Sequence, residues 1–144
     1  MIKNINHVSF TVHDLDQSVA FYQNVLGLKC VSLAERDEAF SSAVSGVKGA
    51  EMKIAYMEGP NCSIELIQYV KGEGTRIDSR TNNPGSTHLC FHVSDYDDWM
   101  KRMKDHGVAM RGELCVVPAG PNMGRRVCYM MDNEGNNLEF IESV

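Results

Sequence analysis

The sequence lacks any apolar run near the ~20 residues that span a bilayer, and no apolar signal-peptide segment follows its first methionine. It also lacks an excess of positive charge, since 14 basic residues against 19 acidic ones give a formal net charge of -5. This sign argues against a protein that coats phosphate backbones. The five cysteines contain no C-x-x-C pair, which indicates reduced thiols. We therefore expect a cytoplasmic protein with no membrane and no nucleic-acid partner.

The length of 144 residues and the hydrophobic content of 43% suit one compact domain, or two small modules that share a core. Two segments resemble each other, INHVSFTVHDLDQSVAFYQNVLGLK and STHLCFHVSDYDDWMKRMKDHGVAM. At an offset of 81 residues, the first segment's His7, Phe10, Val12 and Asp14 recur as His88, Phe91, Val93 and Asp95. This recurrence predicts a duplicated unit.

Each copy begins with a strand in which apolar residues alternate with polar ones. An aspartate (Asp14 or Asp16, then Asp95) is then placed to cap a helix, and Gly27 or Gly107 is placed to end it. Further strands are predicted at 28–34, 52–58, 62–69, 108–114, 126–131 and 137–142, with 38–48 ambiguous and possibly one more strand. Residues 71–86 are rich in Gly, Ser, Thr, Asn and Pro and are predicted to be a linker.

These elements predict an α+β fold of two paired β-α-β-β-β modules, residues 1–70 and 87–144. Neither module is expected to be an independent domain, so residues 1–144 are predicted to form a single domain.

Each copy also places one histidine in its first strand and one glutamate in its last. By the alternation, Glu65 and Glu139 lie opposite their apolar neighbours, on the face that carries His7 and His88. Imidazole and carboxylate donors suit Zn, Ni, Co, Mn or Fe(II). The sequence therefore predicts one divalent metal held by these four residues. The alternative is that the glutamates are surface positions, with Glu65 on an exposed edge strand.

The chain resembles the vicinal oxygen chelate superfamily, which includes glyoxalase I, methylmalonyl-CoA epimerase, extradiol dioxygenases and the fosfomycin and bleomycin resistance proteins. The resemblance rests on HVSFTVHDLDQSVAFYQNVLGLK, SIELIQ, STHLCFHVSD and the terminal DNEGNNLEFIE, and it spans nearly all of the sequence. It implies a glyoxalase-like fold whose mixed sheets curl around a metal-binding cleft. It also implies metal ligands at His7, Glu65, His88 and Glu139, a small-molecule substrate and a homodimer.

The resemblance further implies a metal-dependent lyase or isomerase that moves a proton next to a carbonyl. Glu65 or Glu139 would leave the metal and act as the base. Extradiol dioxygenases fit less well, because Glu65 would fill a position that oxygen needs. Bacterial glyoxalase I carries an arginine four residues after its first ligand histidine, where this chain has Thr11, which disfavours a glutathione substrate. A metal-free drug-binding protein of the same fold is a further alternative.

Other residues are candidates for supporting roles. The loop 117–126, which ends in Arg125 and Arg126, is a candidate for binding an anionic group, with an ordinary solvated loop as the alternative. His92 and Cys90 share the predicted face of His88. Glu51 is a candidate second proton carrier, although a solvated strand end is the favoured interpretation.

Overall fold

A computed structural model describes residues 1–143 of the chain. The chain divides into two compact units, Met1–Arg76 and Ile77–Val144, and the boundary falls inside the predicted linker 71–86. Each unit contains one four-stranded mixed sheet. The α+β class and the two modules are therefore confirmed, whereas the grouping of the modules into a single domain stays a prediction.

The first unit contains four strands and two helices. In order, these are β1 (His7–Thr11), α1 (Leu15–Asn24), β2 (Lys29–Arg36), α2 (Glu38–Ser45), β3 (Glu51–Glu58) and β4 (Ser63–Lys71). The sheet order is β1-β4-β3-β2, with β1 parallel to β4 and the other pairs antiparallel. The last strand of this unit, β4, is therefore an inner strand of the sheet.

Helix α1 begins where the sequence predicts. The Asp14 carboxylate accepts a hydrogen bond from the backbone N–H of Gln17, which satisfies one of the free donors at the helix start. Tyr22 on this helix is fully buried, and Gly27 takes the left-handed conformation with φ of 79°. The amphipathic helix thus covers the apolar face of the sheet.

Residues 38–48, for which the sequence also allows a strand, contain helix α2. Asp37 accepts a hydrogen bond from the backbone N–H of Phe40, and Gly46 ends the helix in the left-handed conformation. Two local capping signals therefore decide in favour of a helix.

The second unit contains four strands and one helix. In order, these are β5 (His88–Val93), α3 (Tyr96–Asp105), β6 (Cys115–Val116), β7 (Arg126–Met131) and β8 (Asn137–Glu142). The sheet order is β5-β8-β7-β6, with β5 parallel to β8, so the last strand is again an inner one. The buried residues of the second unit include Tyr96, Met103, Met130, Leu138 and Phe140.

Two predictions for this unit are wrong in detail. The strand predicted at 108–114 is reduced to an isolated bridge between Met110 and Met130, and the paired strand is β6. The chain leaves the sheet edge near Gly112, where the side chain of Arg111 turns toward the start of β8. Asp95 does not cap α3, because its backbone is left-handed (φ 48°) and its side chain makes no capping hydrogen bond.

The turn before β8 explains part of the D-x-x-G-x-x-x-E ending. The Asp132 carboxylate accepts hydrogen bonds from the backbone N–H groups of Glu134 and Asn136, and Gly135 is left-handed with φ of 85°. This turn sets the register of β8 and hence the position of Glu139. None of the helices in residues 1–143 is long and apolar enough to cross a membrane.

Candidate functional site

Both predicted glutamates lie on inner strands. Glu65 stands in register with Ser9 of β1 and Tyr56 of β3, and it is only 7% exposed. The alternative of an exposed edge strand for Glu65 is therefore wrong. In the second unit, Glu139 stands in the same way between Cys90 of β5 and Tyr129 of β7.

In the first unit, His7, Glu65 and Tyr56 form a group. His7 Nε2 lies 3.4 Å from Oε2 of Glu65, and the Tyr56 hydroxyl donates a 2.5 Å hydrogen bond to Oε1. The imidazole and phenol rings meet edge to face, with centroids 5.7 Å apart. The hydrogen bond to Glu65, followed by burial, raises the pKa of Tyr56. The tyrosine therefore remains a donor to the carboxylate.

The other ring nitrogen of His7 is also engaged. Its Nδ1 lies 2.8 Å from the side-chain oxygen of Asn6. Because an amide oxygen can only accept, Nδ1 is the donor in this contact. Nε2 is then the nitrogen that faces Glu65, as expected for a metal-ligating histidine whose other nitrogen is held by a neighbouring group.

The second unit repeats the group with His88, Glu139 and Tyr129. His88 Nε2 lies 3.1 Å from Oε2 of Glu139 and 3.4 Å from the Tyr129 hydroxyl, and the two rings meet edge to face at 5.0 Å. The thiol of Cys90 is partly desolvated beside Glu139. That desolvation, followed by the charge of Glu139, raises its pKa to about 12, so the thiol stays protonated at neutral pH.

Sequence reasoning missed both tyrosines. Tyr56 precedes Glu65 by nine residues and Tyr129 precedes Glu139 by ten. A comparison of the two copies would therefore have identified a tyrosine before each glutamate. The pattern of His, Glu and Tyr thus occurs once in each unit, on equivalent strands.

The donor atoms of each pair are compatible with a shared cation. Bonds of about 2.1 Å place neighbouring donors about 3.0 Å apart at octahedral angles and about 3.4 Å apart at tetrahedral angles. The two His–Glu separations, 3.4 and 3.1 Å, fall at these values. Within residues 1–143, no group of three or more His, Cys, Asp or Glu side chains is arranged to hold an ion. Each unit therefore supplies two donors, and the four-ligand set stays a prediction.

Two residues predicted to support the four ligands, His92 and Glu51, both lie on strands. His92 is exposed and lies two residues beyond Cys90 on β5, as the alternation predicts. Glu51, the candidate second proton carrier, is the first residue of β3 and forms a 2.6 Å ion pair with Lys71, the last residue of β4. That contact agrees with the favoured interpretation of a strand end.

The loop 117–126 is closed at its base by backbone hydrogen bonds between Val117 and the residues 124 and 125. The guanidinium of Arg126 forms ion pairs with Glu142 at 2.8 Å and Asp97 at 2.5 Å, and lies over the ring of Tyr96. Its charge is therefore already balanced, and the anion-binding interpretation does not hold for it.

Residues 6–129 match the family model of the Glyoxalase/Bleomycin resistance protein/Dioxygenase superfamily, and the chain belongs to this family. Three curated relatives show the range of activities within the family. The 2-epi-5-epi-valiolone epimerase of an Actinomyces species is 30% identical over 142 residues, covering 95% of this chain and 78% of the relative. The ethylmalonyl-CoA/methylmalonyl-CoA epimerase of Cereibacter sphaeroides is 31% identical over 115 residues, covering 78% of this chain and 77% of the relative. The lactoylglutathione lyase of Haemophilus influenzae is 25% identical over 144 residues, covering 96% and 92%.

Solved structures agree with this assignment. A glyoxalase family protein from Bacillus cereus is 28% identical with a TM-score of 0.81, covering 99% of this chain and 95% of the other. The fosfomycin resistance protein FosX of Listeria monocytogenes, solved with Mn(II), is 22% identical with a TM-score of 0.67, covering 100% and 95%. At that identity the second likeness concerns the fold alone.

Proposed function

We propose that the protein is a divalent-metal-dependent enzyme that moves a proton at a carbon next to a carbonyl group of a small substrate. His7, Glu65, His88 and Glu139 are the proposed metal ligands. The observation that carries the proposal is the recurrence of the His–Glu–Tyr group in both units, on equivalent strands. A carboxylate at an ordinary surface position would not be expected to lie on an inner strand within 3.4 Å of a histidine nitrogen in both copies.

The donor set suits a borderline cation such as Zn, Ni, Co, Mn or Fe(II). When bound, such a cation stabilises negative charge on a substrate oxygen as a Lewis acid. The residues of the chain then supply orientation and proton transfer. Asn6 fixes the ring of His7, and Tyr56 fixes the carboxylate of Glu65.

The two glutamates are not equivalent. Both oxygens of Glu65 are engaged, by Tyr56 and by His7, and its side chain is 9% exposed. The side chain of Glu139 also has hydrogen-bonding neighbours, Tyr129 and Cys90, but it is more exposed, at 15%. A base must reach the substrate carbon, so we assign proton transfer mainly to Glu139 and the anchored ligand role mainly to Glu65.

Among proton-transfer reactions, the relatives favour epimerisation. The two relatives at 30% and 31% identity are both epimerases, and the lactoylglutathione lyase is at 25%. Thr11 also stands where bacterial glyoxalase I has an arginine, which weakens the case for a glutathione adduct. A homodimer and a cytoplasmic location stay predictions.

The test is deuterium exchange. Metal-loaded protein is incubated in D2O with three substrate classes: 2-substituted acyl-CoA thioesters, cyclic polyhydroxy ketones and hemithioacetals of 2-oxo-aldehydes. We expect label to enter the carbon next to the carbonyl in one class, with no oxygen consumed. Oxygen uptake with a catechol and no exchange in any class would assign the protein to the dioxygenases instead. Binding of a drug by metal-free protein, again without exchange, would assign it to the resistance proteins.

A further inference from the structure

Arg111 is held in place in the second unit by neutral groups. Its Nε donates a 2.8 Å hydrogen bond to the side-chain oxygen of Asn137, and its Nη2 donates to the Ser79 hydroxyl at 2.6 Å and the Gly135 carbonyl at 3.0 Å. Asn137 is 1% exposed and is itself fixed by hydrogen bonds to the backbone of Ser79 and Thr87. The guanidinium therefore has a defined position.

The charge of this arginine is not balanced. Within residues 1–143, no carboxylate forms an ion pair with Arg111 and no group accepts a hydrogen bond from its Nη1. Arg126 differs in this respect, because two carboxylates neutralise it. The Nε and Nη2 hydrogens of this half-buried guanidinium are used, and its Nη1 hydrogens are free. Nη1 can therefore donate hydrogen bonds to an anion.

The position of Arg111 relates it to the candidate site. Asn137 and Glu139 are alternate residues of β8, so their side chains lie on one face, about 7 Å apart along the strand. Since Arg111 contacts the side chain of Asn137, its guanidinium lies on the face of Glu139. Arg111 and Tyr129 both line a surface pocket of about 310 Å³. Glu113, which is exposed, also lines this pocket.

We propose that Arg111 binds a carboxylate, or a similar small anionic group, of the substrate, and so selects acids over neutral analogues. This inference rests on the proposed function and narrows its substrate class. The substrate would carry the reacting carbon near Glu139 and the anionic group a few bonds away, at Nη1 of Arg111. The role of Arg111 is specificity, because it does not move the proton.

Two measurements test the proposal, and the first does not need activity. Metal-free protein with 15N-labelled arginine is titrated with malonate and, separately, with dimethyl malonate. We expect malonate to shift the Nε–H signal of Arg111 saturably, the neutral diester to leave it unchanged, and the signal of Arg126 to stay constant in both titrations. Equal shifts from malonate and the diester, or no shift from malonate, would overturn the proposal.

The second measurement compares each acid substrate that exchanges deuterium with its methyl ester. The ratio of kcat/KM for acid and ester is independent of the fraction of protein that folds. We expect Arg111→Gln to lower this ratio by about 10- to 100-fold, Arg111→Lys to keep part of it, and Arg126→Gln to leave it unchanged. An unchanged ratio in Arg111→Gln, or exchange confined to a neutral cyclic polyhydroxy ketone, refutes the inference and leaves the proposed function intact. If no substrate exchanges at all, the proposed function fails, and the malonate titration alone decides whether Arg111 binds anions.

Discussion

Tyr56 donates a 2.5 Å hydrogen bond from its hydroxyl to Oε1 of Glu65, across neighbouring strands of one sheet. The other oxygen of the carboxylate faces Nε2 of His7. A carboxylate held at both oxygens keeps one orientation, and that orientation leaves Oε2 directed toward the histidine nitrogen. The tyrosine is therefore a positioning residue for the predicted ligand pair.

The first prediction concerns this hydrogen bond. Tyr56→Phe should weaken metal binding by about 10- to 100-fold, as loss of a group that orients a ligand typically does. It should also lower the unfolding free energy of the metal-free protein by about 1 to 2 kcal/mol. Isothermal titration with metal and denaturant unfolding measure the two effects. Tyr69→Phe, the same change on the neighbouring strand β4, is the control, and equal loss of affinity in both variants would contradict the positioning role.

The second prediction concerns stoichiometry. Protein purified without chelator should hold about one divalent ion per chain, and metal at 100 times its Kd should raise stability by about 2.7 kcal/mol, because the ion binds only the folded state. Elemental analysis and thermal unfolding are the measurements. His88→Ala should lose the ion, whereas His13→Ala, a change at an exposed side chain, should keep it. Two ions per chain would show that each His–Glu pair binds separately, against a shared set of four.

The third prediction compares two histidines on one face of β5. His92 is exposed and lies in register with Ile141, whereas His88 lies 3.1 Å from the carboxylate of Glu139. His92→Ala should therefore reduce metal affinity far less than His88→Ala. Affinity measured in the same titration for both variants decides this. Equal losses would contradict the assignment of His88, and not His92, as the ligand.

Alternation along the strands was enough to predict most of the fold and the faces of the site. The inner position of β4 and β8 was not readable from the sequence, because it depends on which strands pair and not on local pattern. The Asp95 cap was predicted wrongly for a related reason: the residue type is right, but the backbone is left-handed, so the carboxylate does not reach the helix start. Arg111 was missed because its significance depends on neutral partners from distant parts of the chain.

The fourth prediction tests the two helix starts. Asp14→Ala should destabilise the protein by about 1 kcal/mol, since it removes a capping hydrogen bond from α1. Asp95→Ala removes no capping bond from α3. Asp95→Gly should raise stability by up to about 1 kcal/mol, because glycine adopts a positive φ without a Cβ clash. Denaturant midpoints report all three variants, and a stabilising Asp14→Ala would contradict the capping argument.

The last prediction separates the two glutamates by their chemistry. The side chain of Glu139 is more exposed than that of Glu65, at 15% against 9%, so we expect Glu139 to be better able to move between ligand and base. Glutamine keeps the shape and the oxygen donor but cannot take up the proton. Glu139→Gln should therefore slow deuterium exchange by about 100-fold or more at saturating metal.

Glu65→Gln should instead act mainly on the metal. The amide cannot replace the carboxylate that Tyr56 and His7 hold, so metal affinity should fall. When the metal concentration is raised, the exchange rate should recover more in Glu65→Gln than in Glu139→Gln. Exchange rates across a metal titration, for both variants beside the unmodified protein, distinguish the two effects. If Glu65→Gln abolishes exchange at every metal concentration and Glu139→Gln recovers with added metal, the roles are reversed and the first unit supplies the base.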